Sequence, residues 1–279
     1  MLATYLIGLR EGLEATLVVS ILIAFLVKSE RTDKLKLVWI GVAAAVAVSV
    51  IFGWLLSYTE TTLLQDYRQQ ELFEAVTSIA AICFVTWMIF WMRRAARGIA
   101  GELRNKLQDA LAVGSLAVGF MAFLAVVREG LETSLIFYAA VQGADLNGGP
   151  LAALLGGIAT AIAIGYLMYA TAVRVNLSVF FKWTGVLLIL VAAGIFKYGV
   201  HALQEATVLP GGNDIAYHAA GWLDPSTWYA TLLAGMFNIT PEPTVLEVVA
   251  WFAYAVPVLV LFLWPVRKPA PVATPAVQS

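Results

Sequence analysis

One charged motif occurs twice in this sequence, each time inside a long apolar stretch. It reads LREGLEATL at 9–17 and VREGLETSL at 127–135. In each copy the two glutamates are three positions apart, so their side chains lie on the same side of a helix. These four glutamates are Glu11, Glu14, Glu129 and Glu132. Carboxylate oxygens are hard ligands that suit Fe, Mn, Mg or Ca and do not suit Cu(I). The motif therefore predicts a site for a hard cation.

The charges of this motif are costly in an apolar setting. Each charged group at the centre of a membrane helix costs about 2.5–3.5 kcal/mol on insertion scales, so six of them cost roughly 15–20 kcal/mol before pairing. That exceeds the whole stability of a typical domain, about 5–15 kcal/mol. Arg10 and Arg128 each lie four positions from a glutamate with which they can pair. Two such bridges could be purely structural. They would leave the second glutamate of each copy unpaired, and this surplus favours a cation site.

Small and hydroxyl residues accompany the charges in both copies. We expect Gly12 and Gly130 to let the first and fourth predicted helices approach closely, as small residues do in membranes. Thr16 and Ser134 occupy equivalent positions. They are candidate donors that support the metal ligands, or ordinary hydroxyls between helices.

The elements that carry the motif must be membrane helices. The chain of 279 residues is 61% hydrophobic and 13% charged, with a mean hydropathy of +0.84, whereas soluble domains average about 45–50% and about 25%. Lipid offers no partners for free backbone groups, so the fold class is an all-α integral membrane protein. Seven segments are long enough to span a bilayer. They lie at about 2–27, 37–58, 71–92, 114–141, 151–173, 179–201 and 245–264.

The distribution of Lys and Arg predicts the orientation. Thirteen of the 17 follow the first, third, fifth and seventh segments, and Arg68 alone lies in the alternate loops. The positive-inside rule therefore places the N-terminus outside and the C-terminus in the cytoplasm. The first copy of the motif then enters from outside and the second from the cytoplasm.

This arrangement predicts an inverted repeat of three plus three helices. Repeat 1 covers about 1–92 and repeat 2 about 114–201, and an extra helix follows at about 245–264. Transporters with inverted repeats place their site at the repeat interface near mid-membrane. We expect one transmembrane permease domain over 1–268 and a disordered, proline-rich tail at 269–279.

The remaining features of the sequence have simple interpretations. Residues 93–112 are polar and helix-prone, which predicts a cytoplasmic amphipathic helix. The apolar stretch 228–237 is too short to span and is interpreted as interfacial or re-entrant. Cys83 is the only cysteine, so the chain has no internal disulfide, and we expect a buried, inert thiol. The charged N-terminal segment is not a cleavable leader, and no basic tract points to nucleic acid.

The doubled R-E-G-L-E motif resembles that of the oxidase-dependent iron permeases, the fungal high-affinity and bacterial EfeU-type families. QQELFEAV (69–76), TWMIFWMRR (86–94), FFKWT (180–184) and EVVAWFAYAVP (247–257) share this resemblance. It implies that the four motif glutamates bind iron ions, Fe²⁺ or Fe³⁺, as transported substrate. It also implies a periplasmic or extracellular iron-handling protein and an oxidase or peroxidase as partners beside the lipid bilayer. The sequence has no haem, copper, flavin or nucleotide motif. The short loops favour a bacterial inner membrane.

A second group of acidic and histidine residues lies at the outer side of the predicted membrane. Glu71 and Glu74 begin the third segment and could collect cations or simply favour the helix N-terminus. His201 and Glu205 could bind metal or pair with each other at the end of the sixth. Lys197 is interpreted as snorkelling outward or neutralising a carboxylate. Glu247 is interpreted as a capping acid. Met88, Met92 and Met236 show no clustering of the kind that marks a soft-metal site.

Three other functions can be compared with that of an iron permease. A carboxylate-lined permease or proton-coupled exchanger for another hard divalent cation, such as Mn²⁺, fits the same ligands. An intramembrane metal-dependent enzyme would also use paired carboxylates, but the spans hold no identifiable nucleophile or histidine-bearing metal motif. We therefore do not expect an enzyme. A metal sensor or scaffold would need a signalling domain, which the short cytoplasmic loops do not offer.

Overall fold

The computed structural model describes residues 2–64, 66–95, 114–141, 148–171, 177–224 and 227–264. These residues form eight α-helices and no β-strand. The helices are α1 (Leu2–Lys28), α2 (Leu35–Tyr58), α3 (Tyr67–Ala95), α4 (Ser115–Val141), α5 (Gly149–Thr171), α6 (Leu177–Glu205), α7 (Trp228–Phe237) and α8 (Val245–Leu263). A 3₁₀ turn, Thr32–Lys34, precedes α2, and a π-helical turn, Thr59–Leu63, follows it.

Five of these helices are long and apolar enough to cross a membrane: α2, α3, α5, α6 and α8. Helices α1 and α4 are each 27 residues long, about 40 Å, but each carries the three charges of one motif copy. The all-α multi-pass membrane architecture is confirmed. The count of seven spans and the orientation of the termini stay predictions.

Each motif helix packs along the second helix of the other copy. Helix α1 lies along α5 and α4 lies along α2, while α3 lies along α6 and α1 contacts α4. A Cβ at Gly12 would lie 2.8 Å from the Ala161 Cβ of α5, and a Cβ at Gly130 would lie 2.0 Å from the Ser49 Oγ of α2. The prediction that these glycines bring α1 and α4 together is therefore wrong. Gly12 faces α5 and Gly130 faces α2 instead. The sequence did not reveal how each motif helix is rotated about its own axis.

The short apolar stretch at 228–237 forms helix α7, which ends at Asn238 in the left-handed conformation (φ 52°). The C-terminal end of α7 lies against the middle of α6, where a Cβ at Gly194 would be 2.7 Å from the carbonyl oxygen of Phe237. Trp251 Nε1 of α8 donates to that oxygen at 3.0 Å. The C-terminal end of α7 thus contacts both α6 and α8.

Two other predictions fall outside the described residues: the disordered tail at 269–279 and most of the amphipathic segment at 93–112. The expectation for Cys83 is wrong, because its side chain is exposed on α3. An apolar neighbourhood in a membrane helix does not imply burial, since the lipid-facing side is apolar as well.

Candidate metal centre

The four motif glutamates are all buried at the contact between α1 and α4. One carboxylate oxygen each of Glu11, Glu14 and Glu129 lies within 4.8 Å of the others. In the part of the chain that the structure describes, this is the only group of three acidic, histidine or cysteine side chains with that geometry. Folding therefore brings the two copies of the motif, which are far apart in sequence, into one cluster. Glu132 is buried as well and instead bonds to Arg128.

Arg10 lies within this cluster. Its Nη1 is 2.5 Å from Glu11 Oε1 and its Nη2 is 3.0 Å from Glu14 Oε1. The same two nitrogens lie 3.3 Å from the thioether sulfur of Met88 and 3.2 Å from that of Met92. Only 4% of the Arg10 side chain is exposed. Each terminal nitrogen of the guanidinium therefore contacts one carboxylate and one thioether sulfur.

Arg128, the equivalent residue of the second copy, has a different environment. Its Nε donates to Glu132 Oε1 at 2.9 Å, and 31% of its side chain is exposed. The guanidinium carbon lies 4.2 Å from the ring centroid of Trp91 and 5.1 Å from that of Trp87. Among the described residues, Glu129 makes no ion pair with either arginine. The two copies of one motif thus differ in how their charges are compensated.

Each glutamate of the cluster keeps one buried oxygen without a hydrogen-bond donor among the described residues. The four atoms are Glu11 Oε2, Glu14 Oε1, Glu129 Oε2 and Glu132 Oε2. Glu14 Oε1 is 3.0 Å from Arg10 Nη2 but lies outside hydrogen-bond geometry. Buried acceptors without partners are costly, and a hard cation would satisfy several of them at once. The donor set is therefore suited to cation binding.

A cavity of about 690 Å³ reaches this cluster between α1, α2, α4 and α5. Glu11 and Glu129 line one part of it, and Glu60 and Tyr138 line another. Glu60 belongs to the π-helical turn after α2, and Tyr138 donates a hydrogen bond to its Oε2. The cavity therefore joins the buried carboxylates to an acidic residue beyond the end of α2.

The four residues predicted at the outer side lie on α3 and α6 and, in the described part of the chain, do not form a group with the spacing of metal ligands. Glu74 is half-buried and accepts a hydrogen bond from Tyr198 of α6. Glu71 lies one turn earlier and is also half-buried. His201 and Glu205 do not pair with each other. His201 Nδ1 lies 3.0 Å from Glu247 Oε1, and Glu205 Oε2 accepts from the Tyr67 hydroxyl at 3.2 Å.

The hydroxyl residues of the motif contact helix backbones. Ser134 Oγ lies 3.0 Å from the carbonyl oxygen of Ser49 and 2.9 Å from that of Gly130. The methyl carbon of Thr16 packs against Gly165 of α5. Both side chains thus join the motif helices to their neighbours, which is the second of the two roles that the sequence allowed.

Sequence reasoning did not identify the residues of α3 that contact the arginines. Met88 and Met92 contact Arg10, and Trp87 and Trp91 contact Arg128. The available signal was the spacing of four between the two methionines and between the two tryptophans in TWMIFWMRR. Tyr138 gave no signal in the sequence.

Comparison with known proteins decides the family. Residues 1–269 match the model of the iron permease FTR1 family. The chain belongs to that family. It is 38% identical over 273 residues to the ferrous iron permease EfeU of Escherichia coli O6:H1, covering 97% of this chain and 98% of the relative. The same figures hold for the ferrous iron permease EfeU of Shigella sonnei.

A relative from Yersinia pestis, also named ferrous iron permease EfeU, is 36% identical over 282 residues, which cover 100% of this chain and 99% of the relative. No solved structure matches the chain. The resemblance to the oxidase-dependent iron permeases is thus confirmed. Membership of this family makes the chain an iron permease and indicates a transporter rather than an enzyme.

Proposed function

We propose that this permease moves iron ions inward across a bacterial inner membrane through a mid-membrane site formed by Glu11, Glu14, Glu129 and Glu132. The observation that carries the proposal is the convergence of carboxylate oxygens from both motif copies within 4.8 Å, in a buried cluster where each glutamate keeps one oxygen without a donor among the described residues. The relatives are named ferrous iron permeases, so Fe²⁺ is the ion to test first.

The packing of each motif helix against the second helix of the other repeat supports the predicted inverted repeat. Gly12 meets Ala161 as Gly130 meets Ser49, and Thr16 meets Gly165 as Ser134 meets Gly53. Both motif helices therefore use equivalent residues against equivalent partners. An internal two-fold relation of this kind would bring the glutamates of both copies to one level, as a shared site requires.

The cavity supports a route from the outer side. In the predicted orientation, Glu60, Glu71 and Glu74 lie at the outer ends of α2 and α3, where they would concentrate cations before the buried cluster. His201 and Glu205 flank the same end of α6 and would extend this acidic vestibule. An iron-handling protein and an oxidase or peroxidase outside the membrane would supply the ion and any redox step.

Uptake of radioactive iron into proteoliposomes tests the proposal. Glu14→Ala and Glu132→Ala should each lower Fe²⁺ uptake more than about tenfold, since each removes a ligand. Glu242→Ala is the matched control, because Glu242 is exposed and pairs only with exposed His218 among the described residues. A glutamate variant that reaches the membrane and transports at the wild-type rate would remove that residue from the site.

The main alternative is transport of another hard divalent cation or coupling to protons through the same carboxylates. The site has only oxygen ligands at its centre, which Mn²⁺ also accepts. Parallel uptake of Mn²⁺ and Fe²⁺ by the wild-type protein shows which of the two ions it transports better. Faster, tighter uptake of Mn²⁺ would favour the alternative.

A further inference from the structure

One short segment of α3 contacts both motif arginines. The sequence Trp87–Met92 reads WMIFWM, with the tryptophans four apart and the methionines four apart. Residues four apart share a helix face, and adjacent residues are rotated by about 100°. The two pairs therefore occupy neighbouring faces of α3, one directed at Arg10 and the other at Arg128.

The methionine face contacts the same two guanidinium nitrogens of Arg10 that approach Glu11 and Glu14. Met88 and Met92 are both buried, and their sulfurs lie 3.3 and 3.2 Å from Nη1 and Nη2. A thioether is a weak acceptor, yet here it occupies N–H groups that would otherwise be free to turn toward another acceptor. The unpartnered carboxylate oxygens of the cluster are acceptors of this kind.

The tryptophan face binds Arg128 by a cation–π contact. The guanidinium carbon lies 4.2 Å from the ring centroid of Trp91 and 5.1 Å from that of Trp87, and the two rings are stacked with centroids 6.5 Å apart. Both distances fall within the range of about 6 Å in which such contacts are favourable. Arg128 keeps one bond to Glu132 and makes none to the adjacent Glu129.

We infer that Trp87, Met88, Trp91 and Met92 are positioning residues, which we call the arginine holder. The holder keeps both guanidinium groups away from Glu129, so this carboxylate and the free oxygen of Glu11 face the cavity as the cation-accepting groups. Without the holder, an arginine N–H takes the place that the metal would fill. The inference rests on the proposed function, since it assigns which carboxylates receive the cation.

Calorimetric titration of the purified full-length protein with Fe²⁺ under argon tests the tryptophan face. Trp91→Leu should raise the Kd roughly three- to thirtyfold, and Trp91→Phe, which retains an aromatic face, should raise it less. Trp183→Leu removes an exposed tryptophan of α6 and should leave the Kd unchanged. In an Arg128→Gln background, Trp91→Leu should change the Kd less than twofold. Should Trp91→Leu aggregate, the partly exposed Trp87 provides Trp87→Leu for the same comparison.

The methionine face has its own comparison. The double variant Met88→Leu/Met92→Leu keeps the volume and loses the acceptors, so its Kd should rise severalfold, whereas Met236→Leu, at a buried methionine away from the site, should not. Wild-type affinity in the holder variants, or a Trp91→Leu effect that persists undiminished with Arg128→Gln, would overturn the inference. Failure of the wild-type protein to bind Fe²⁺ would instead count against the proposed function.

Discussion

Lys197 of α6 and Glu247 of α8 form a buried ion pair, with Nζ 3.1 Å from Oε2. Lys197 also lies 2.7 Å from both the carbonyl oxygen of Asn238 and the hydroxyl of Thr240. The lysine thus neutralises a carboxylate, one of the two roles expected for it. Glu247 lies in the first turn of α8, where its backbone N–H donates to the hydroxyl of Thr244, the residue that caps the helix.

Removal of this lysine should destabilise the protein strongly. Lys197→Met leaves buried Glu247 with only His201 beside it, and loss of one partner of a buried ion pair typically costs about 3–5 kcal/mol. Lys182→Met, at an exposed position of the same helix, is the control. Adding Glu247→Gln to Lys197→Met should recover much of the loss, because no buried charge then remains. Thermal unfolding in detergent compares these three variants with the wild-type protein. Equal melting temperatures for Lys197→Met and Lys182→Met would contradict the prediction.

Arg10 should tolerate lysine better than alanine. The guanidinium contacts Glu11 and Glu14 at 2.5 and 3.0 Å, so a cation is needed between them. Lysine supplies the charge without the planar fork, and we expect Arg10→Lys to retain partial iron uptake while Arg10→Ala loses it. Uptake per inserted molecule in proteoliposomes is the measurement. Full activity of Arg10→Ala would show that the pairing is dispensable.

Metal binding should release protons and weaken as the pH falls. Carboxylates bind metals in their deprotonated form, so protons and metal compete for the same oxygens. The heat of Fe²⁺ binding should vary with the ionisation enthalpy of the buffer between about pH 5 and 8. This dependence should require Glu11, Glu14, Glu129 and Glu132 jointly, because they share one cluster. Two metals bound independently, one per motif copy, would disprove a shared site.

Close contact between α1 and α5 should make Gly157 intolerant of any side chain. A Cβ at Gly157 would lie 2.1 Å from the carbonyl oxygen of Tyr5 and 2.6 Å from the backbone nitrogen of Leu9. Neither backbone atom can move without shifting α1, so Gly157→Ala should cost about 1–3 kcal/mol. At the adjacent Gly156 the nearest atom would be 3.8 Å away, an ordinary contact. Equal thermal stability of Gly157→Ala and Gly156→Ala would contradict this packing.

The chemistry of the site followed from the sequence because burial in lipid makes charges rare. Three charged residues at fixed spacing, which occur in each of two apolar stretches, have few explanations besides a cation site. The helical fold followed equally directly, since an uninterrupted apolar stretch of about 20 residues, without the alternation of barrel strands, satisfies its backbone hydrogen bonds in lipid as a helix. Both conclusions depend on composition and local spacing alone.

The rotation of each helix about its axis was decided only by the tertiary structure. In a soluble protein an apolar stripe shows which face of a helix is buried, but lipid is as apolar as the protein interior. Exposed Val50 and Ile51 of α2 and exposed Cys83 of α3 are as apolar as their buried neighbours. The sequence therefore could not show that Gly12 meets α5 or that Gly130 meets α2.

The same limit explains why the arginine partners were unexpected. Local spacing identified the arginine–glutamate pairs four apart, which Arg10 with Glu14 and Arg128 with Glu132 form. The thioethers and indole rings that complete the two environments come from α3, far away in sequence. Their contacts depend on the register at which α3 lies against α1 and α4. Sequence thus determined which groups are candidates to bind a cation, and the packing of a third helix decided the environment of the arginines beside them.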